Sequence, residues 1–318
     1  MPSPRPSPRP SPRAARPAGR AATGARAPAR TLARAGLALA AAGAACVAYG
    51  ALVERRWFRL REETVPALAP GAEALDILHL SDLHMLEGDG RLRAFLATIA
   101  DRPVDLLVVT GDMLGEPRAL TPVLDALSGF KPRLGAVAVL GSNDYYAPRP
   151  KSYFSYFLPR RPRLPTRHNP WRELVGGLEE AGWQVLRNER ARIGDVEIAG
   201  MDDGHIRRDD AGAAAGPVAA SRLRLGVVHS PYLRSLDAFA SNGWQLVLAG
   251  HTHGGQVRLP GVGALVTNCD LPRGQARGLS RHGGAWVHVS AGLGTSKYAP
   301  FRFACRPEAS ILHCVGPR

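Results

Sequence analysis

Five short apolar runs, each followed at once by a cluster of polar residues, constrain the fold of this chain more than any other sequence feature. They occupy residues 75–80, 106–110, 136–140, 223–228 and 246–249. The runs are rich in Val, Ile and Leu and alternate with longer amphipathic segments, a pattern typical of strands and helices in a layered α/β domain. The sequence therefore predicts that all five runs are β-strands.

A second set of shorter candidate strands lies near residues 192–198, 256–259, 264–267 and 286–289. Glycine-rich turns adjoin these segments, which is typical of strands joined as hairpins. A length of 318 residues has room for one large α/β domain with appendages.

The polar clusters contain residue types that bind metal ions. They read Asp82-Leu83-His84, Gly111-Asp112, Gly141-Ser142-Asn143-Asp144, His229-Ser230-Pro231 and Gly250-His251-Thr252-His253-Gly254-Gly255. The carboxyl ends of strands in an open α/β sheet converge on one crevice, so we expect these clusters to meet in space. Asp, His and Asn side chains are ligands for Mn, Fe or Zn, and the Asp-x-His and His-x-His spacings aim both side chains of a pair the same way.

The remaining histidines lack partners at ligand spacing, and we expect them to be structural. They are His79, His168, His205, His282, His288 and His313. A lone histidine near a strand is more often a hydrogen-bonded core or surface residue than a metal ligand.

The ordered set of motifs resembles the calcineurin-like metallophosphoesterase superfamily. The GHTHGGQ string, with the later GLGTS, RF and PE, is similar to the bacterial membrane-associated branch of that superfamily, and the match extends from about Leu75 to the C-terminus. The resemblance implies an α/β fold of two mixed β-sheets packed as a sandwich and flanked by helices, here preceded by one N-terminal apolar helix.

The resemblance also implies two divalent metal ions, Mn, Fe or Zn, and a phosphate-ester substrate. Asp82, His84 and His253 would then hold the first metal, and His229 and His251 the second. Asp112 would bridge them. Two cations in such a site clamp a phosphoryl oxygen and lower the pKa of a water, which supplies hydroxide for in-line attack.

One motif departs from the family pattern. The family usually reads G-N-H-[DE], with Asn as a ligand of the second metal and His as the acid that protonates the leaving group. This chain reads Gly141-Ser142-Asn143-Asp144. Either Asn143 reaches the metal through a backbone shift, which we favour because an amide oxygen is the better ligand, or Ser142 or water takes that place. The histidine acid is absent, so the catalytic set becomes Asp112, Asn143 and Asp144, with Asp144 or a metal-bound water as acid.

Composition divides the chain into four segments. Residues 1–35 are an Arg/Pro-rich tail expected to be disordered, 36–53 an uncharged transmembrane or signal-anchor helix, 54–73 a linker, and 74–318 the catalytic domain. A cleaved signal peptide is the alternative for the apolar segment. The arginines before it place the domain outside the cytoplasm by the positive-inside rule, so we expect a single-pass protein of the cell membrane with an extracytoplasmic domain. Arg55, Arg56, Arg59 and Arg61 oppose this orientation.

The net charge of +14 gives little support to a nucleic-acid partner, because eight arginines precede the first acidic residue, Glu54. An insertion over residues 145–171 interleaves basic and aromatic residues, which suits either a membrane interface near the active site or an ordinary surface loop. The expected function is hydrolysis of a phosphate ester, with a lipid-linked or cell-envelope compound as a candidate substrate. The alternatives are a metal-binding scaffold or lipid-sensing protein with little turnover, and a nuclease. The sequence indicates no protein partner.

Overall fold

A computed structural model describes residues 26–149, 167–216 and 220–317. Residues 1–25 of the tail and 150–166 of the basic and aromatic insertion lie outside the described residues. The chain divides into a unit of residues 1–45 and a unit of residues 46–318.

The described residues form six α-helices and fourteen strands. The helices are α1 Arg26–Leu52, α2 Gly90–Ala100, α3 Leu120–Ser128, α4 Ser142–Tyr145, α5 Trp171–Glu180 and α6 Leu233–Ser241. The strands are β1 Arg59–Val65, β2 Leu75–Leu80, β3 Leu106–Thr110, β4 Gly135–Val139, β5 Gln184–Val185, β6 Glu189–Ile193, β7 Val196–Met201, β8 Leu223–Val228, β9 Leu246–Ala249, β10 Arg258–Leu259, β11 Gly263–Ala264, β12 Gly278–His282, β13 Ala285–Val289 and β14 Glu308–Cys314.

Two six-stranded mixed sheets form the domain. The first has the order β1-β14-β2-β3-β4-β5, in which β14 is antiparallel to β2 and the other pairs are parallel. The second has the order β12-β13-β9-β8-β7-β6, in which the β12–β13 and β6–β7 pairs are antiparallel. A separate hairpin joins β10 and β11. The predicted sandwich of two mixed sheets is confirmed.

The inner faces of the two sheets share one apolar core. Ile77 and Val108 of the first sheet pack with Leu225 and Leu248 of the second, and all four are fully buried. A second cluster joins the outer face of the first sheet to α2, α3 and α5, and a third joins the outer face of the second sheet to α6. Apolar residues on both faces explain why the central strands read as continuous apolar runs.

The N-terminal helix is longer than the sequence indicated. It begins at Arg26, within the segment predicted to be disordered. Alanine favours helix, and it is plentiful both in the arginine-containing residues before position 36 and in the uncharged residues after it. Within residues Thr31–Arg56, an 18-residue window has a mean hydropathy of 1.9, and by length and composition this helix is apolar enough to cross a membrane.

Four of the described strands were not predicted from the sequence: β1, β5, β12 and β14. The predicted linker 54–73 contains β1, which pairs in parallel with β14 from Arg59↔Glu308 to Val65↔Cys314. β1 reads RLREETV, and an edge strand with many charged residues does not show the apolar run by which the central strands were recognised. The linker prediction is therefore wrong for residues 59–65.

Other boundaries also differ from the predictions. The single strand expected at 192–198 is a hairpin of β6 and β7, with the turn at Gly194, whose φ is +57°.

In the insertion, Tyr145 and Trp171 pack together with ring centroids 5.2 Å apart, and Tyr145 is buried. These two aromatic side chains therefore belong to the domain core rather than to a membrane interface.

Candidate metal centre

Loops from both sheets meet at one edge of the sandwich. Asp82 follows β2, Asp112 follows β3, His229 follows β8 and His251 follows β9. All six residues first assigned to the metals are buried: Asp82, His84, Asp112, His229, His251 and His253.

The first group of ligand atoms comes from Asp82, His84 and His253. The Nε2 atoms of His84 and His253 lie 3.1 Å apart, and Asp82 Oδ1 is 3.5 Å from His253 Nε2 and 4.0 Å from His84 Nε2. Ligands held about 2.1 Å from one tetrahedral ion are roughly 3.4 Å from each other. The three side chains therefore fit the shell of a single cation.

The second group comprises Asp82, Asp112 and His229. Asp112 Oδ2 lies 3.3 Å from His84 Nε2 and 3.5 Å from His229 Nε2. The ring of His251 is next to that of His229, with centroids 5.2 Å apart. Asp112 thus stands between the two groups, where a bridging carboxylate would lie.

Hydrogen bonds fix which histidine nitrogens can bind a cation. His229 Nδ1 lies 2.7 Å from the carbonyl oxygen of Thr110, which can only accept, so Nδ1 carries the proton. Once the ring has given up its second proton, His229 Nε2 carries the lone pair that could bind a cation, and this atom is buried without a hydrogen-bond partner among the described residues. Metal-bound histidines commonly donate their second N–H in this way. The site therefore fits the divalent ions that the motifs imply.

The electrostatics of the site favour a cation. Burial alone would lower the pKa of His229, but the carboxylates of Asp112, Asp203 and Asp82 raise it well above its usual value. Burial lowers the pKa of His251 and of His253 and keeps both imidazoles neutral, the form that binds metal. A field that holds a proton on a buried imidazole also attracts a metal ion.

The backbone at the site is strained. Asp82, His84, Asp112, His251 and His253 have φ values of +48°, +40°, +51°, +68° and +50°. Residues other than glycine rarely adopt this left-handed backbone conformation, and such strain concentrates at functional sites. The tight packing around these loops holds the strained conformations in place.

Asn143 contacts the central carboxylate directly. Its backbone N–H donates to Asp112 Oδ1 at 2.7 Å, and its side-chain amide donates to Asp112 Oδ2 at 2.6 Å. This contact brings Asn143 to the site, although Asn143 occupies the family's histidine position. Its role as a metal ligand remains a prediction.

Asp144 lies beneath the site. It is fully buried, and its oxygens accept the backbone N–H groups of Met113, Leu114 and Gly141 at 2.8 to 3.0 Å. Burial and the charge of Asp112 raise its pKa to about 7. Since both oxygens are held by backbone donors, Asp144 positions the loops after β3 and β4, and this arrangement does not favour the acid role expected from the sequence.

The sequence interpretation missed residues that follow β7. His205 lies against His251, with ring centroids 4.6 Å apart, and its Nδ1 is 3.1 Å from the hydroxyl of Tyr232. Asp203 accepts from the Ser230 hydroxyl at 2.6 Å. Because the predicted strand stopped at residue 198, the cluster 202–205 was not seen to be a sixth polar cluster at a strand end. His205 therefore belongs to the wall of the site rather than to the purely structural set.

His79 and His288 are structural, and they also connect the site to the core. His288 Nδ1 and His79 Nδ1 are 2.9 Å apart, and His79 Nε2 is 2.9 Å from Thr110 Oγ1. The Thr110 hydroxyl donates to Ser81 Oγ at 2.7 Å, and Ser81 donates to Asp82 Oδ2 at 2.6 Å. This buried chain of hydrogen bonds runs from β13 in the second sheet to Asp82, one of the predicted metal ligands.

Arg302 supports the opposite side. Its side chain is fully buried and donates to the carbonyl oxygens of Ala291, Gly292 and Gly294, and its Nη2 lies 3.3 Å from His253 Nδ1. Arg302, the arginine of the RF motif, thus holds the loop after β13 against the loop that carries His251 and His253.

Comparison with known proteins agrees with this geometry. Residues 75–255, more than half of the chain, match the family model described as Calcineurin-like phosphoesterase. The chain belongs to the calcineurin-like phosphoesterase family. It is therefore a metal-dependent phosphoester hydrolase, and metallophosphoesterases typically bind two divalent metal ions.

Three bacterial relatives extend the match to most of this metallophosphoesterase. The uncharacterized metallophosphoesterase YkoQ of Bacillus subtilis is 30% identical over 250 residues, covering 76% of this chain and 84% of the relative. Phosphodiesterase YaeI of Escherichia coli is 28% identical over 279 residues, covering 82% and 90%. UDP-2,3-diacylglucosamine pyrophosphatase LpxG of Chlamydia trachomatis is 26% identical over 285 residues, covering 76% and 84%.

Proposed function

We propose that this metallophosphoesterase is a dinuclear enzyme that cleaves a phosphodiester or pyrophosphate bond in a lipid-linked or cell-envelope compound. The observation that carries the proposal is the position of Asp112. One of its oxygens lies within 3.5 Å of histidines from both ligand groups. In this proposal Asp82, His84 and His253 hold one ion, His229, His251 and Asn143 hold the other, and Asp112 is shared.

The bound ions, Mn, Fe or Zn, would neutralise charge on the phosphoryl oxygens and lower the pKa of a water. The residues of the chain orient the site. Asn143 fixes both oxygens of Asp112, and Thr110 fixes the tautomer of His229. His205 and Tyr232 provide polar groups beside His251 for the non-reacting part of the substrate.

The absence of a histidine acid limits the leaving group. Asn143 has no proton to transfer, and the oxygens of Asp144 are occupied by backbone N–H groups. A phosphate or the anion of an acidic alcohol can depart without being protonated, whereas the strongly basic alkoxide of an alkyl ester needs a proton to depart. The site therefore suits a pyrophosphate bond or an activated ester better than an alkyl ester.

Two observations support a substrate at the cell envelope. The apolar helix α1 is long enough to cross a membrane, and the arginines before it favour an extracytoplasmic domain. The relative LpxG is named for a pyrophosphatase activity on UDP-2,3-diacylglucosamine, a lipid-bearing compound.

Hydrolysis of bis-p-nitrophenyl phosphate by the full chain in detergent tests the activity. We expect turnover that requires an added divalent metal and falls by about 100-fold or more in Asp112→Asn, since one bridging charge is lost. Asp125→Asn, a change of an exposed carboxylate on α3, is the matched control and should leave the rate unchanged. Absence of activity with every divalent metal would reject the proposal.

A series of aryl and alkyl diesters tests the leaving-group argument. The rate should fall steeply as the pKa of the leaving alcohol rises, because no side chain donates a proton. The double variant Ser142→Asn/Asn143→His restores both the ligand and the acid of the family motif, so its rate should depend less on that pKa. An equally shallow dependence in both proteins would show that another group serves as acid.

A metal-binding scaffold with little turnover is the second candidate, and the altered Ser142-Asn143 pair favours it. Metal analysis separates the two functions. Two equivalents of bound metal without turnover on a broad ester panel would support the scaffold.

A further inference from the structure

Large apolar side chains are exposed where α1 meets the domain. At the end of the helix Leu52, Val53 and Trp57 are 62%, 50% and 52% exposed, and in the β10–β11 hairpin Leu259 and Val262 are 44% and 67% exposed. Contiguous exposed apolar surface of this kind marks an interaction site.

One chain segment joins these two groups into a single surface. The backbone N–H of Arg302 donates to the carbonyl of Gly50 in α1 at 3.2 Å, and the backbone N–H of Arg258 in β10 donates to Phe303 at 2.9 Å. Ala304 N–H donates to the Glu54 carboxylate at 3.0 Å. The end of α1, residues 302–306 and the hairpin therefore form one continuous surface.

A cavity of about 370 Å³ opens within this surface. Its aromatic walls are Tyr49 and Phe303, whose rings pack edge to face at 6.4 Å, and Pro260 of the hairpin turn contributes a third apolar wall. The cavity thus lies between the two exposed apolar groups.

Three arginines line the same cavity: Arg59, Arg277 and Arg306. Arg59 and Arg277 lie 2.6 and 3.6 Å from the carboxylate of Glu308. Arg306 stacks on Trp57 at 3.9 Å and donates to the neutral carbonyls of Trp57 and Phe58.

The carboxylates do not cancel this charge. Glu54, which also lines the cavity, is buried, and its two oxygens accept the backbone N–H groups of Ala304 and Cys305. Three guanidinium groups therefore face two carboxylates, Glu54 and Glu308, and a positive charge remains in excess. The cavity can accept a monoanion.

We propose that this cavity binds the phosphate of an anionic phospholipid while the surrounding apolar side chains enter the bilayer interface. Guanidinium groups bind phosphate oxygens with charge-assisted hydrogen bonds, and each basic residue near an anionic surface adds about 1 kcal/mol of attraction. Trp and Tyr side chains favour the headgroup depth at which the end of a spanning helix lies. The occupant is a lipid headgroup because the positive cavity has an apolar rim continuous with α1.

This docking places the catalytic centre at the bilayer surface. The hairpin follows closely on the loop that carries His251 and His253, since only residues 254–257 lie between His253 and β10. Arg258 Nη1 donates to the carbonyl of Gly254 at 2.9 Å. A lipid bound at the cavity therefore holds the metal loop near the membrane. The inference rests on the membrane anchorage proposed above, but its test does not require catalysis.

Native mass spectrometry of the full chain in detergent, with phosphatidylglycerol or phosphatidylcholine added, tests the proposal. We expect one phosphatidylglycerol to be retained in preference to phosphatidylcholine. Arg306→Gln and Arg277→Gln should each reduce that retention about fivefold, the effect of one basic residue at an anionic surface. Arg281→Gln is the matched control, because Arg281 is exposed and also stacks on a tryptophan, at 4.4 Å from the Trp286 ring, yet lies outside the cavity.

A second variant guards against misfolding of the arginine variants. Val262→Asp changes an exposed side chain at the hairpin turn and should lower retention by repelling the headgroup, while the thermal midpoint stays unchanged. Equal retention of both lipids, or equal loss in Arg281→Gln, would overturn the proposal. Displacement of the lipid by inorganic phosphate alone would also overturn it, because the cavity would then recognise free phosphate.

Discussion

Asp112 is the residue on which the site depends. It is 3% exposed, its φ is +51°, and it contacts Asn143 through both oxygens. Burial alone would raise its pKa, but the imidazoles of His229 and His84 and the N–H of Asn143 hold the pKa well below the usual value. A carboxylate kept ionised between two imidazole groups is suited to share its charge between two cations.

Substitutions at Asn143 and Ser142 test which of the two residues in the Gly141-Ser142-Asn143-Asp144 motif serves the second metal. Asn143→Ala removes the amide that orients Asp112, so kcat/KM and the affinity for the more weakly bound metal should fall by about 10- to 100-fold. Ser142→Ala should change either quantity much less. Metal titration and steady-state kinetics of both variants measure the difference, and the reverse ranking would assign the ligand role to Ser142.

Gly250 illustrates how closely the two sheets approach at the site. A Cβ atom at this position would collide with the Ser81 hydroxyl and with Asp82 Oδ2. Gly250→Ala should therefore displace Asp82, lower metal content and destabilise the fold by about 1 to 3 kcal/mol. Gly284→Ala is the control, since a Cβ there meets no atom within 4 Å. Normal metal content in Gly250→Ala would show that the loop moves aside and leaves Asp82 in its binding position.

At the scale of elements, the C-terminal ends of four strands bring the predicted metal ligands together. β2 and β3 are parallel neighbours in one sheet, β8 and β9 are parallel neighbours in the other, and all four end at the same edge. The hydrogen bonds from His288 to Asp82 cross from the second sheet to the first at this edge. The sheets are thus connected by polar contacts as well as by the apolar core.

The inter-sheet histidines predict how stability depends on pH. Burial lowers the pKa of His79 well below 6.5 and the pKa of His288 to about 4. The folded state keeps both neutral, whereas the unfolded chain binds protons as the pH falls below 6.5, so this stability is present above pH 6.5 and is lost below it.

Replacing His288 should weaken that dependence. For His288→Asn we expect the loss of unfolding free energy from about pH 7 to about pH 5 to be smaller by about 2 kcal/mol. Urea unfolding of the full chain in detergent measures it. His282→Asn, a partly exposed histidine paired with Asp237, is the control. Identical pH profiles for His288→Asn and the unchanged protein would show that the fold does not lower the pKa of His288.

At the scale of the whole molecule, the sequence predicted the central strands well and the edges poorly. Buried strands such as β2, β3 and β9 carry their apolar pattern on both faces, and their ends carry the metal motifs. β1 and β14 are paired with each other across almost the whole chain, and such long-range pairing cannot be read from local pattern. His205 was misassigned for a related reason, since its role depends on where β7 ends.

The orientation of the chain in the membrane is a further prediction. The arginines before the apolar helix should keep the N-terminus in the cytoplasm and place the domain outside. A C-terminal alkaline phosphatase fusion should then be active in a bacterial host, and a C-terminal green fluorescent protein fusion should be dark. Fusions made after Arg34 provide the control with the opposite expected pattern. Bright C-terminal fluorescence would place the active site in the cytoplasm.

A crystal of the full chain soaked with Mn²⁺, measured for anomalous scattering, tests the central claim most directly. We predict two peaks about 3.5 to 4 Å apart. One peak should lie among Asp82, His84 and His253, the other at His229 and His251, with Asp112 in contact with both. A single peak away from Asp112, or none at this edge of the sandwich, would contradict the dinuclear centre.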